Sequence, residues 1–360
     1  MELILLSSLI GITFAAIIAA YAKVREIGPY IYANARLNAR GLYAIKGKEK
    51  ELAKCKSLDE LLAKLQNTTY YEILAESNNA SEMHLALEKY VVNEIDEVKK
   101  IVPKETAELL DNFLVFYETP IIKTIYRAKV TNAEEDISKL CYAVGNINDV
   151  LLKHLLEAET IADIRVVMAE TKYAEVFDKD YKSIEEFEIA LDSFALRNFL
   201  KSLKKAKVGN KKEVERILRM KFDVQNLLAL IKCVLRDVNY EKRKRLIVKG
   251  KHSWSNEAMD KMLKARSLEE LEQALDGIFK RKFGELMQKY ERNKNLAEVE
   301  IGLWKLYMEF VEKEEMMHNL GIIPIFTYLI KKEFEAKNLA AIIKGIDAKF
   351  KEEEILGLIV

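Results

Sequence analysis

The sequence predicts an all-α protein made of three similar helical modules with approximate threefold character, preceded by one N-terminal transmembrane helix. Three observations carry this. Half of the 360 residues are hydrophobic, and only 4 Pro and 13 Gly punctuate them, too few turn formers for a strand-rich or doubly wound fold. Helical phrases recur in a fixed order along the chain. The chain also opens on an uncharged apolar run.

That run is Leu3–Ala22, "LILLSSLIGITFAAIIAAYA", 20 residues without a charge. At about 1.5 Å per residue it would span about 30 Å, the thickness of a bilayer's hydrocarbon core. A secretory signal is the alternative, and "AYA" at 20–22 resembles a cleavage site. Signals, however, carry positive charge ahead of the apolar run, and here only Glu2 precedes it while Lys23 and Arg25 follow. The positive-inside rule then places the body on the cytoplasmic face of the cell membrane and the N-terminus outside. Ser7, Gly11, Ala15 and Ala19 recur every fourth residue, forming a ridge of small side chains suited to close helix packing in lipid.

The modules follow from the repeats. "FDVQNLLALIK" (222–232) returns as "FEAKNLAAIIK" (334–344), an offset of 334 − 222 = 112, with Phe, Asn, Leu, Ala, Ile and Lys at matching places. A degenerate version is "YETPIIKTIYR" (117–127). Upstream, "SLDELLAKLQNTTYYEIL" (57–74) matches "TIADIRVVMAETKYAEVF" (160–177) at 160 − 57 = 103, aligning Thr68, Tyr70 and Glu72 with Thr171, Tyr173 and Glu175. "SLEELEQALDGIFKRKF" (267–283) opens the same way and then diverges. Ser57-x-x-Glu60 and Ser267-x-x-Glu270 spell capping boxes; the middle copy has Asp163 in place of Glu. Between the two phrases lie long amphipathic stretches, with Leu85, Leu87, Val91 and Ile95 marking the oily face of the first. The resulting modules are 24–131, 132–236 and 237–360. Phe222, Leu227, Leu230 and Ile231 should be buried as Phe334, Leu339, Ile342 and Ile343 are.

Few functional chemistries fit. The 58 basic and 57 acidic residues nearly cancel, which excludes a global pull toward nucleic acid. Cys55, Cys141 and Cys233 are too far apart for a disulfide framework or metal cluster and read as small buried hydrophobes. No Gly-x-x-x-x-Gly-Lys-Ser/Thr loop is present; "GKEKE" (47–51) lacks the first glycine and the hydroxyl. Glu315-x-x-His318 has the spacing of one di-iron ligand pair, but such a bundle needs two. The sequence therefore presents no catalytic residues, metal ligands, cofactor or small-molecule substrate. One basic stretch stands out: Lys201, Lys204, Lys205, Lys207, Lys211, Lys212, Arg216, Arg219 and Lys221. It reads either as a contact with anionic lipid or an acidic partner, or as a solvated helix face.

"PYIYANARLNARGLYAI" (29–45), with Tyr-x-Tyr-Ala-Asn-Ala-Arg and a second Arg, resembles the start of the C subunit of archaeal A-type and bacterial V-type ATP synthases, a relative of the d subunit of the eukaryotic vacuolar ATPase. The resemblance extends over residues 29–360. It implies a funnel of three helical domains joining the central stalk to the membrane ring of proteolipids. Such a funnel would pass torque, and so ion transport, to ATP chemistry elsewhere in the rotary ATPase. Arg36 and Arg40, one helical turn apart, become candidate partner contacts. Members of the family are expected to begin near Tyr30, which makes residues 3–22 a departure and a contact with membrane lipid. The alternative is a membrane-anchored helical scaffold for another complex; a further one is an enzyme built from dispersed carboxylates.

Overall fold

The computed structural model describes residues 2–40, 45–133, 136–250 and 252–360; within the first helix, the side chains of residues 2–11, 19, 23 and 26 lie outside the description. Among the described residues the chain is helical throughout, apart from one isolated bridge between Val144 and Ile147. The first third holds α1 (Glu2–Ala39), α2 (Glu49–Ala53), α3 (Leu58–Lys64), α4 (Thr69–Leu74), α5 (Ala80–Lys99), α6 (Lys104–Phe113) and α7 (Val115–Thr131). A short 3-10 turn (Ile137–Leu140) leads to α8 (Asp149–Glu157), α9 (Ile161–Met168), α10 (Ala174–Phe177), α11 (Ile184–Lys205) and α12 (Lys211–Leu235). The last third holds α13 (Tyr240–Arg243), α14 (Asn256–Lys264), α15 (Leu268–Ala274), α16 (Gly277–Asn293), α17 (Leu296–Met317), α18 (Ile323–Asp347) and α19 (Glu352–Leu356).

The repeated phrases become matching elements. α3, α9 and α15 start where Ser57, Thr160 and Ser267 accept a hydrogen bond from the backbone N–H three residues on. The reciprocal box is complete only in the middle copy, where Asp163 accepts from Thr160 N at 2.8 Å. Glu60 and Glu270, one methylene longer, reach one residue further back, to Lys56 N (2.8 Å) and Arg266 N (2.7 Å). The expected boxes are thus shifted in the outer copies.

α5, α11 and α17 are the long amphipathic helices, and α7, α12 and α18 carry the closing phrase. Phe222, Leu227, Leu230 and Ile231 are buried, as are Phe334, Leu339, Ile342 and Ile343. Leu85 is only half-buried and does not join Leu87, because side chains two apart on a helix do not share a face; Met83, Leu87, Val91 and Ile95 form the stripe. All three cysteines are free and buried.

The packing order is cyclic. α7 packs on α11, α12 on α17, and α18 on α5, so each closing helix lies against the long helix of the next third. As a result, the core around Leu61, Tyr70, Leu74 and Leu87 near the chain's start is completed by Leu339, Ile342, Ile343 and Ile355 near its end.

α1 stands apart. Among its described side chains only those of the C-terminal portion are packed, with Tyr30, Ala33 and Leu37 buried at spacings of three and four. It packs on α18, and Tyr30 bonds Thr106 of α6 at 3.0 Å. Ile12, Phe14, Ile17, Ile18, Tyr21 and Val24 are all more than half exposed. Among the described residues no helix is long and apolar enough to cross a membrane. The expected transmembrane helix over 3–22, and with it the N-terminus outside, therefore finds no support here; the side chains of 3–11 and Ala19 lie outside the described residues.

Candidate functional site, a ring of buried latches and an exposed helix

Each closing phrase opens on an aromatic residue followed by an acid: Tyr117-Glu118, Phe222-Asp223 and Phe334-Glu335. The aromatic anchors the helix in apolar surroundings, which drags the adjacent carboxylate out of water. Glu118 and Asp223 are fully buried and Glu335 is 5% exposed. A buried carboxylate is tolerable only when its oxygens are hydrogen-bonded, and all three find donors in the next third of the chain.

Glu118 of α7 accepts from Asn146 N and Nδ2, both at 2.9 Å, from the Tyr173 hydroxyl, and pairs with Lys172 at 2.7 Å. Asp223 of α12 accepts from Ser253 N at 2.8 Å and faces His252 Nδ1 at 2.9 Å. Glu335 of α18 accepts from Ile45 N at 3.2 Å, the Tyr70 hydroxyl at 2.9 Å and Lys332 at 3.0 Å. The first third thus holds the second, the second holds the third, and the third returns to the first. Tyr70 and Tyr173, the matched tyrosines of the upstream phrase, make equivalent bonds in adjacent thirds. Burial first, and then the neighbouring carboxylate, holds both phenols far above their ordinary pKa, so both stay protonated and donate to these carboxylates. At the Glu118 latch only glycine fits position 145: its φ is +54°, and an added Cβ would lie 2.2 Å from Glu118 Oε1.

The residues just before the aromatic pairs also make contacts between the phrases. Lys221 donates to both oxygens of Glu333 at 2.9 Å, bridging equivalent positions of the two phrases; Lys337 adds a bond at 2.6 Å and the Tyr117 hydroxyl one at 3.4 Å. Phe116 packs against Phe222 with ring centroids 5.8 Å apart. The shared asparagine of the phrase also bonds alike in both copies. Asn226 exchanges two hydrogen bonds with the Val248 backbone, and Asn338 two with that of Val360.

The structure separates the two candidate contact arginines. Arg36 is exposed and stacks over Tyr32, bonding its hydroxyl at 3.1 Å. Arg40, also exposed, reaches across to α5, 3.6 Å from Glu94 and 3.3 Å from Glu97, and so fastens the end of α1 to the body. Of the small-residue ridge, Ala15 is exposed, while the side chains of Ser7, Gly11 and Ala19 lie outside the described residues. The basic stretch divides too. Lys221, mostly buried, pairs with Glu333, Arg216 with Glu314, and Arg219 with Glu215. Lys201, Lys204, Lys205, Lys207 and Lys212 remain exposed. Glu315 and His318 do not converge: Glu315 is bound by Lys331 and Thr327, whereas His318 lies 4.0 Å from Glu314. Among the described residues, no group of three or more His, Cys, Asp or Glu could hold a metal.

The chain matches the family model of the ATP synthase (C/AC39) subunit over residues 33–358 and belongs to that family. It is accordingly a non-catalytic subunit of a rotary ATP synthase, a membrane-associated complex. It is similar to the A-type ATP synthase C subunit of Methanocaldococcus jannaschii, 27% identical over 94% of this chain and 88% of the relative. The corresponding protein of Pyrococcus abyssi is 25% identical over 92% and 90%. That of Pyrococcus horikoshii is 26% identical over 100% of this chain and 99% of its own length. The family match begins at residue 33, so residues 3–22 lie ahead of it, while the alignment with the Pyrococcus horikoshii relative runs over the whole chain.

Proposed function

We propose that this chain is the rotor subunit joining the central stalk to the membrane proteolipid ring, passing torque that links ATP synthesis or hydrolysis to ion translocation. In this reading, modules 24–131, 132–236 and 237–360 surround one axis as a funnel, with the stalk entering one end and the ring meeting the other. The observation that carries it is the cyclic order of the latches, Glu118 to the second third, Asp223 to the third and Glu335 back to the first. A torque transmitter must resist twisting, and a closed cycle has no free seam at which its first and last thirds can part. Buried, hydrogen-bonded carboxylates suit that role because breaking one leaves several groups desolvated and unpaired. Apolar burial continues across the same seams, at Leu339 and Ile343 against Leu61 and Leu87. Affinity purification of the tagged chain from native membranes tests the reading. Co-elution of stalk and proteolipid subunits is the expected result; their absence, or recovery with an unrelated assembly, overturns it and favours a scaffold of another complex.

A further inference from the structure

Three segments distant in sequence meet where α1 leaves the body. Ile27 and Tyr30 of α1, Gly209 and Asn210 of the α11–α12 loop, and Met317–Ile322 at the α17–α18 tip line one hollow. Asn34 bonds the Gly321 carbonyl at 3.3 Å, which fixes the tip against α1. Around this root the surface is both apolar and basic. Met316, Met317 and Leu320 are 75%, 52% and 49% exposed, beside Ile31 at 59%. The loop and its flanks contribute Lys201, Lys204, Lys205, Lys207 and Lys212, all exposed. Among the described residues none of these five ion-pairs with a carboxylate. Glu105 and Glu108 share a neighbouring hollow with Lys205 and Lys207, but Lys104 pairs with Glu108 at 3.9 Å, and the face stays basic. The N-termini of the 25-residue helices α12 and α18 open toward the same end and add positive potential. From this face α1 projects its exposed apolar side chains, and Gly28-Pro29 sits at the exit, where the proline removes one helical hydrogen bond.

We infer that this face rests on an anionic lipid surface, with Met316, Met317 and Leu320 reaching the headgroup–acyl boundary and the lysines of the α11–α12 loop among the phosphates. An acidic protein surface would call for the lysines alone. A bilayer surface calls for both, and the loop whose flanks carry the lysines meets the tip that carries Met317 and Leu320 at the root of an apolar helix. The inference deepens the rotor reading by assigning which end of the body faces the membrane, and it does not require α1 to span.

The test is co-sedimentation of the full chain with phosphatidylcholine vesicles, with and without phosphatidylglycerol. The chain partitions more strongly onto the anionic vesicles, and salt weakens this preference. Each lysine near such a surface is worth about fivefold in partitioning. The triple variant Lys204→Gln, Lys205→Gln, Lys207→Gln therefore loses on the order of 100-fold on anionic vesicles and nothing on neutral ones. Met316→Ser with Leu320→Ser weakens binding to both. Unchanged anionic binding in the lysine variant overturns the inference. So does a variant that still binds vesicles but no longer co-elutes with the proteolipid subunits, since the lysines would then serve a protein contact. A parent chain that binds anionic vesicles yet never co-elutes with stalk or ring would sink the rotor reading and leave this inference standing.

Discussion

Helices α18 and α1 both carry long apolar runs, and their fates are opposite. α18 buries 19 of its 25 residues, including Lys331, Lys332, Glu333 and Glu335. Each of those charges has a partner: Glu315 for Lys331, Glu335 for Lys332, and Lys221 for Glu333. α1 has no such complement. From Ile12 to Val24 its described apolar side chains stand clear of the body, over about 20 Å of helix. Apolar content alone therefore does not decide burial. Charges with designated partners let α18 be enclosed on every side, whereas α1 must find cover outside its own chain.

The largest expected effect breaks a latch. Glu118→Ala removes the acceptor for Asn146 N, the Tyr173 hydroxyl and Lys172 at once, and should cost about 3–5 kcal/mol. Asp223→Ala, which frees fewer donors, should cost about 2–3 kcal/mol. Chemical denaturation of both variants measures the pair. Equal, near-zero effects would mean that the cyclic order contributes nothing to stability.

A smaller effect concerns acid. Burial alone raises the Glu333 carboxyl, but Lys221 and Lys337 outweigh it and hold it at about 2. This lies below the ordinary 4.5, so the group's contribution is complete above pH 4.5 and is lost as pH falls toward 2. Lys337→Gln removes one of the two cations, raising the carboxyl pKa. The acid-unfolding midpoint should then move to higher pH, with roughly 1 kcal/mol lost at neutrality because Lys337 is half-exposed. Identical acid profiles for parent and variant would contradict the pairing.

The smallest effects distinguish the arginines at the end of α1. Arg40→Glu places a third carboxylate beside Glu94 and Glu97 and should cost about 1 kcal/mol. Arg36→Glu should change stability by no more than about 0.5 kcal/mol and act, if at all, on assembly. Thermal unfolding and reconstitution with the other subunits separate the two outcomes.

Much of this architecture was legible. Phe222, Leu227 and Ile231 declared their burial by returning 112 residues later, and Tyr70 declared its kinship with Tyr173. The latching acids were in plain view as the second letter of all three closing phrases, but periodicity counts apolar residues and passes over a charge among them. Their donors were harder to find. Ile45 N and Ser253 N belong to the backbone, so no side chain announces them. Lys46-Gly47-Lys48 follows Ile45 whereas Lys249-Gly250-Lys251 precedes Ser253, so even this shared tripeptide does not put the two donors in register. The pairing of Arg40 was illegible because Glu94 and Glu97 are more than fifty residues away, and a spacing of four cannot tell an unpaired arginine from one tied to another helix.

An electron cryomicroscopy structure of the intact synthase containing this chain tests the torque-transmitting arrangement at first hand. The expected result is the body on the rotor axis, α7, α12 and α18 arranged around that axis, and the root of α1 with Met316, Leu320 and Lys205 turned toward the membrane. A body bound at the periphery, or one with the α1 root facing the catalytic head, would contradict it.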